Sequence, residues 1–296
     1  DVSLVVRRDY DLIMQTGIRV EYGKAHEEKQ ILHFPSDKIK NHIFCCTKEV
    51  VNQKGTMDWV IVCCKSYSID EQLHKTLIPL IGADTKIIVI MNGLGVEEPF
   101  IKWFGSERIY GGLSQIACNR GPNPPLIPDS PLLVNVYLDL KLHLAHVSDN
   151  IQLSQQAVDL FKHTTLSDKV GLSTNLLRTR WDKLTWNLTF AGIAVAMGGL
   201  TCDVIVQDPA LRLLATSVIT DVIRVANADI KRQFVERHGS KPVPTALLLD
   251  ETDILEEIWV RTANAGAYKS STVLDLVAGR PLEMKYLFGV PLERAR

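Results

Sequence analysis

Short apolar runs alternate with amphipathic segments over the first half of the chain. Val- and Ile-rich runs that end in turn residues predict buried strands. Four such runs span residues 2–7, 59–64, 86–91 and 108–113. Apolar residues at helical spacing predict helices over residues 68–81 and 96–104. Strands that alternate with helices in this way are typical of an α/β fold with a doubly wound sheet, whose parallel strands are buried on both faces.

A different pattern begins after residue 172, where the strand signal stops. Helical spacing predicts helices over residues 210–234, 245–263, 269–277 and 282–287. Between the two patterns, residues 132–147 alternate apolar and polar, which predicts an antiparallel hairpin or an edge strand. We therefore divide the chain into an α/β domain of residues 1–172 and an all-helical domain of residues 173–296.

Composition excludes several classes of function. The net charge of −1 over 296 residues gives no general attraction to nucleic acid or to an acidic membrane surface. No apolar run is long enough to span a bilayer. The six cysteines include the adjacent pairs Cys45-Cys46 and Cys63-Cys64, without any Cys-x-x-Cys spacing. We interpret them as buried free thiols of a reducing, cytoplasmic compartment, and we expect no metal site.

Polar residues follow three of the predicted strands. Arg7-Arg8, Lys65 and Asn92-Gly93 stand where the strands of residues 2–7, 59–64 and 86–91 end. Ligands of open α/β sheets bind beyond these carboxyl ends. At the end of the second strand of a dinucleotide-binding domain, an arginine such as Arg7 pairs with the 2′-phosphate of the cofactor. Arg7 therefore favours NADP(H) over NAD. The alternative is that Arg and Lys mark the return of the chain to water and that Asn-Gly forms a turn.

The stretch "WDKLTWN" places a lysine and an amide in apolar surroundings. On a helix, Lys183, Asn187 and Ala191 would form one stripe at spacings of four residues. Lys183 could be a partly desolvated general acid with a lowered pKa, and Asn187 could bind a polar substrate group. The alternative for Lys183 is that its ammonium group reaches the solvent past an apolar surface.

Four separated motifs carry a resemblance to a known family. "KSY", "IMNGLG", "WDKLTWN" and "SSTVLDLVAGRPLEMKYL" occur in the order and spacing of the ketopantoate reductase family, which the chain resembles over nearly all its length. The resemblance implies a Rossmann-type N-terminal domain, a helical C-terminal domain and an active site in the cleft between them. It also implies reduction of a 2-oxo acid by NADPH, and a homodimer is one possible assembly.

The resemblance assigns roles on the substrate side of the cleft. It implies that Lys183 protonates the carbonyl oxygen and that Glu283 lies beside the substrate and the nicotinamide. It further implies that Asn187 and Ser271 bind the substrate. Ala191 stands where many members carry a second asparagine, so we expect either 2-dehydropantoate or a related branched 2-oxo acid as the substrate.

On the cofactor side, the resemblance implies that Arg7 contacts the 2′-phosphate of NADP. It implies that Lys65 and Asn92 position the cofactor and the reacting centre. The family's G-x-G-x-x-G loop precedes the segment where the resemblance begins, so we expect residues 1–296 to lack the first strand–helix unit and to bind NADPH weakly. Two alternatives remain open, a homologue that binds a ligand or a partner without catalysis and a related 3-hydroxy acid dehydrogenase.

Overall fold

The computed structural model describes residues 1–23, 28–121 and 125–296, with residues 137–140 described for their backbone alone. Within these residues the strands are β1 (Leu4–Val5), β2 (Ile18–Tyr22), β3 (Gln30–Phe34), β4 (Ile43–Phe44), β5 (Met57–Val62), β6 (Ile81–Ile90), β7 (Ile109–Arg120), β8 (Leu132–His146) and β9 (Val170–Leu172). The helices before β9 are α1 (Tyr10–Thr16), α2 (Ser36–Ile39), α3 (Thr47–Lys54), α4 (Glu71–Leu77), α5 (Glu98–Phe104) and α6 (Ile151–Asp159). After β9 the described chain is helical, with α7 (Leu176–Trp186), α8 (Gly192–Ala196), α9 (Cys202–Gln207), α10 (Pro209–His238), α11 (Glu251–Asn264), α12 (Ser271–Val277) and α13 (Val290–Ala295).

A mixed sheet forms the centre of the first half, in the order β3-β2-β8-β7-β6-β5, with β9 paired to β8. Strands β5, β6 and β7 are parallel, whereas β8 runs antiparallel to β7. Ile87, Ile88 and Val89 are consecutive residues of β6, and all three are buried, so both faces of this strand are covered. The α/β architecture followed by a helical half confirms the predicted fold class.

Two strand predictions were wrong. Of residues 2–7, only Leu4–Val5 form a strand, and it pairs with β4 in a separate two-stranded parallel sheet. Both side chains of β1 are exposed, so this short apolar run is not part of the buried core. Residues 132–147 form neither a hairpin nor an edge, because Leu132–His146 is one continuous strand with β2 and β7 on its two sides. No glycine or proline interrupts this segment to fold it back.

The helical half packs around α10, a helix of 30 residues. Ile219, Ile223, Ala226 and Ile230 recur at helical spacing along it and are all buried. Asp208 caps its start by accepting hydrogen bonds from the backbone N–H groups of the next turn. Among the described residues, no helix combines the length and the apolar character that crossing a bilayer demands.

The predicted stripe of residues 183, 187 and 191 is interrupted. A π-helical segment, Asn187–Ala191, connects α7 to α8. Lys183 and Asn187 are still one α-helical turn apart, since the Asn187 N–H donates to the Lys183 carbonyl. Beyond Asn187 the wider π turn changes the helical phase, and Ala191 is only 1% exposed. A second π-helix, Lys285–Gly289, runs into α13.

The thiols do not match the prediction of burial. All six cysteines are free, and Cys46, Cys63 and Cys118 are exposed, whereas Cys202 is buried. The apolar strands that suggested burial end before the adjacent pairs, β4 at Phe44 and β5 at Val62.

Candidate active site

A buried ion pair joins the helical half to the carboxyl end of β6. The guanidinium group of Arg180, 3% exposed, donates from Nε to the Glu97 carboxylate at 2.8 Å. It also donates from one terminal nitrogen to the carbonyl oxygens of Met91 and Gly93, at 2.8 and 3.1 Å. Buried charges require such complete pairing. The pair therefore fixes α7 against the segment that follows β6, and sequence reasoning missed both residues.

One turn after Arg180, Lys183 reaches the same end of the sheet. Its ammonium Nζ donates to Asn92 Oδ1 at 2.6 Å and to the Ser114 backbone carbonyl at 2.6 Å. Burial, together with the positive charge of Arg180, lowers the pKa of Lys183 to about 8, although the negative charge of Glu283 opposes this shift. The ammonium can therefore give up a proton near neutral pH, as a general acid must.

The loop after Asn92 packs directly on the second π-helix. Gly93 has a φ of +115°, and a Cβ atom there would lie 2.6 Å from the Cβ of Tyr286. The Leu94 N–H donates to the Tyr286 carbonyl at 2.9 Å. Glycine is therefore required at position 93 by both conformation and space. This close approach brings Glu283, which precedes the π-helix, to the sheet edge.

At that edge a second lysine lies between two carboxylates. Lys65 Nζ donates to Asp275 Oδ2 at 2.7 Å and to Glu283 Oε2 at 3.4 Å. The Ser66 N–H donates to the other Glu283 oxygen at 2.7 Å. Burial disfavours the ammonium, but the hydrogen bond and charge of Asp275 and the charge of Glu283 outweigh it and raise the pKa of Lys65. Asp275 was missed by sequence reasoning, although it lies within the quoted motif "SSTVLDLVAGRPLE".

The structure thus brings four predicted residues together, Lys65, Asn92, Lys183 and Glu283. Lys65 and its carboxylate partners lie at the carboxyl end of β5, and Asn92 and Lys183 lie at the carboxyl end of the neighbouring strand β6. Both pairs face the helical half. Glu283 connects them, since it hydrogen-bonds to Lys65 and its charge acts on the pKa of Lys183. This arrangement can offer a proton and a positive charge to an oxygen atom on which negative charge develops.

The other three predicted residues lie around this centre. Asn187, half-buried, is one turn from Lys183, whereas Ser271 is exposed at the first position of α12. It is the neighbouring Ser270 that caps α12, through its hydroxyl group. Arg7 is exposed, and its charge acts on the thiol of Cys64, next to Lys65 in the chain. Within the described part of the chain no hydrogen bond joins these three side chains to Lys183 or Glu283, so their roles stay predictions.

Comparison with known proteins identifies relatives for both halves. The family model described as "Ketopantoate reductase PanE/ApbA" matches residues 1–124, and its C-terminal counterpart matches residues 175–296. A 2-dehydropantoate 2-reductase of Nostoc sp. (strain PCC 7120) is 24% identical over 298 residues, which cover 100% of this chain and 82% of that protein.

Solved structures share the fold. The 2-dehydropantoate 2-reductase of Geobacter metallireducens GS-15 superposes with a TM-score of 0.79 at 24% identity, over 100% of this chain and 85% of that one. A D-mandelate dehydrogenase, in a ternary structure with NADH and anilino(oxo)acetate, superposes with a TM-score of 0.68 at 17% identity, over 97% of this chain and 80% of that one.

Proposed function

The chain belongs to the ketopantoate reductase family of oxidoreductases acting on CH–OH groups, and from that premise we propose that it reduces a 2-oxo acid to a 2-hydroxy acid with NADPH. The observation that carries the proposal is the hydrogen bonding of Lys183. An ammonium group has three N–H donors. Two of them are used by Asn92 and by the Ser114 carbonyl. The third is available to the carbonyl oxygen of a substrate.

Proton transfer from Lys183 completes the proposed reaction. Hydride addition to the carbonyl carbon of a 2-oxo acid leaves an alkoxide, and the Lys183 ammonium gives its proton to that oxygen. The pKa of about 8 leaves the amine protonated at neutral pH and makes this transfer favourable. Asn92 and the Ser114 carbonyl hold the ammonium in one orientation, which lowers the cost of ordering it in the transition state.

Glu283 has a positioning role in this proposal. Its two carboxylate oxygens accept from the Ser66 N–H and from Lys65, so the carboxylate is held rigidly between the two halves. There its charge opposes the lowering of the pKa of Lys183 and keeps that lysine protonated in the resting enzyme. We therefore place Glu283 beside the substrate and the nicotinamide ring.

The residues at the sheet edge fit a dinucleotide. The exposed guanidinium of Arg7 can pair with a 2′-phosphate, in keeping with NADP rather than NAD. The hydroxyl oxygen of Ser66 is buried without a hydrogen-bond partner among the described residues, which fits an acceptor supplied by a ligand. When bound, the nicotinamide cofactor would supply the hydride.

Asn187 and Ser271 complete the proposed substrate site. We propose that they hold the carboxylate and neighbouring polar groups of 2-dehydropantoate or of a related branched 2-oxo acid. The Ala191 side chain can donate no hydrogen bond to the hydroxyl group of 2-dehydropantoate, so the preference for this substrate over other branched 2-oxo acids should be reduced.

Asn187→Ala should raise KM with little change in kcat, because a group that binds ground and transition states alike acts through KM. Steady-state kinetics measures this split, and a loss confined to kcat would contradict the assignment.

Steady-state reduction by the full-length protein tests the function directly. 2-Dehydropantoate and several other branched 2-oxo acids are supplied with NADPH or NADH, and the 2-hydroxy acid is quantified by mass spectrometry. We expect one 2-hydroxy acid for each NADPH oxidised, with NADH the poorer donor. Failure to reduce any 2-oxo acid with either cofactor would overturn the proposal. We also propose a cytoplasmic homodimer, for which light scattering should give twice the mass of a single chain.

A further inference from the structure

A group of metal-ligating side chains lies apart from the candidate active site, where β4 meets α3. Cys45 and Cys46 follow the last residue of β4, and Glu49 stands in the first turn of α3. Their two sulfur atoms and a carboxylate oxygen all lie within 4.8 Å of one another. From this geometry we propose that Cys45, Cys46 and Glu49 form a binding site for a thiophilic divalent cation of the zinc and cadmium type.

The distances suit such an ion. With Zn–S bonds of about 2.3 Å and Zn–O bonds of about 2.0–2.2 Å in a tetrahedron, neighbouring ligand atoms are roughly 3.5–3.8 Å apart. The observed ligand atoms lie within 4.8 Å of one another, so their separations need to shorten by no more than about 1.3 Å to reach that range. Rotation of the exposed Cys46 side chain can supply this movement.

The ligands are already held together by local contacts. The Cys45 N–H donates to Glu49 Oε2 at 3.2 Å, and hydrogen bonding of the Cys45 thiol to Glu49 raises the pKa of that thiol to about 11, so a bound cation has to displace its proton. Cys46 occupies the N-cap position of α3, an eight-residue helix. Little ordering therefore remains to be done when the ion binds.

The donor set determines which ions fit. Two thiolates and one carboxylate suit Zn²⁺ and Cd²⁺, whereas Mg²⁺ and Ca²⁺ prefer oxygen ligands alone. Three protein ligands leave a fourth tetrahedral position for water, so the ion should exchange readily. This proposal departs from the expectation of no metal site, which was drawn from the absence of Cys-x-x-Cys spacing. Here the signal is Cys-Cys-x-x-Glu, in which one helical turn returns Glu49 to the cysteines.

The second adjacent pair provides an internal control. Among the residues whose side chains the structure describes, the only group of three or more His, Cys, Asp or Glu ligands this close together is that of Cys45, Cys46 and Glu49. Cys63-Cys64 therefore has two adjacent thiols without a third ligand. Cys63→Ser removes one exposed thiol from that pair and should leave cation binding unchanged.

Titration with Cd²⁺ tests the site. The reduced chain, stripped of metal with a chelator, is titrated while thiolate-to-metal charge-transfer absorption is followed in the ultraviolet, and bound cadmium is counted after desalting. We expect one Cd²⁺ per chain and a higher Tm in its presence. The double variant Cys45→Ser/Cys46→Ser should lose the absorption band. Glu49→Gln should keep the band and bind at least about tenfold more weakly, and Cys63→Ser should match the parent.

Each outcome decides the proposal. An unchanged band in the double variant, or loss of the band in Cys63→Ser, would assign the ion to other thiols and overturn the site. Parental affinity in Glu49→Gln would overturn the role of the carboxylate and with it the three-ligand site. If the double variant does not fold, the comparison of Glu49→Gln with Cys63→Ser decides, since thermal unfolding without metal shows whether both retain the parental Tm.

Discussion

Lys183 and Lys65 lie on two sides of the candidate active site, and their pKa values shift in opposite directions. Lys183 meets a neutral side-chain oxygen of Asn92 and a backbone carbonyl, and burial lowers its pKa to about 8. Lys65 is partly buried, yet it meets the carboxylates of Asp275 and Glu283, and its pKa is raised.

Burial thus acts in the same direction on both lysines, and the charge of the partners decides the outcome. A lysine with neutral partners is ready to give up its proton, so Lys183 suits acid catalysis. A lysine between carboxylates stays charged through the whole physiological range, so Lys65 suits binding and the attachment of α12 and Glu283 to the sheet. The same side chain can therefore carry two functions a short distance apart in one site.

Replacement of Lys183 should give the largest effect. In Lys183→Ala, kcat should fall by about 10²–10⁴, the usual contribution of a general acid. Cofactor affinity should hardly change, because the lysine acts on the substrate carbonyl. Stopped-flow kinetics and NADPH fluorescence separate the two quantities. Lys75→Ala, at an exposed lysine paired with Glu71, is the matched control. A parental kcat in Lys183→Ala would mean that the ammonium group has no part in the chemistry.

Replacement of Lys65 should act on stability instead. Lys65→Ala leaves two buried carboxylates without their shared cation, and the free energy of unfolding should fall by about 1–3 kcal/mol. The loss stays below that of a fully buried pair because the Lys65 side chain is 36% exposed and Arg280 still pairs with Asp275 at 2.8 Å. Urea denaturation measures it, again against Lys75→Ala. Unchanged stability would show that Lys65 does not stabilise the fold.

The cofactor preference should depend on Arg7. Arg7→Ala should reduce the preference for NADPH over NADH by about 1–3 kcal/mol, the range of a charge-assisted hydrogen bond to a phosphate. The ratio of kcat/KM for the two cofactors gives the value. Arg8→Ala, at the adjacent exposed position, is the control. Equal use of both cofactors by the parent would contradict the assignment of Arg7.

The smallest expected effect is on the pH profile of kcat/KM, which tests the pKa of Lys183 most directly. The general acid must be protonated, so kcat/KM should fall as pH rises through the Lys183 pKa of about 8. Because the charge of Glu283 favours the ammonium, Glu283→Gln should move this fall to lower pH. Asp275→Asn removes a carboxylate that acts on Lys65 and should leave the midpoint in place. A shift to higher pH in Glu283→Gln would have the wrong sign for a carboxylate beside Lys183.

Much of the fold and part of the site follow from local patterns. Strands β5 and β6 were recognisable from their Val and Ile runs, and α10 from apolar residues at helical spacing. Lys65 and Asn92 were predictable because ligand groups collect at the carboxyl ends of parallel strands. The continuous strand β8 was mistaken for a hairpin, since alternation alone does not reveal which neighbours a strand has. The role of Ser271, at the exposed first position of α12, stays a prediction.

Residue type and periodicity along the chain were enough for the architecture and for Lys183 as the candidate acid, and the resemblance of four motifs was enough for the family. Its pKa, the opposite behaviour of Lys65 and the anchoring pair Arg180–Glu97 were decided by tertiary contacts. Arg180 and Glu97 are 83 positions apart, and Lys65 and Asp275 are 210 apart. Electrostatic energies depend on the distance between charges and on their removal from water, and neither quantity is a local property of the chain.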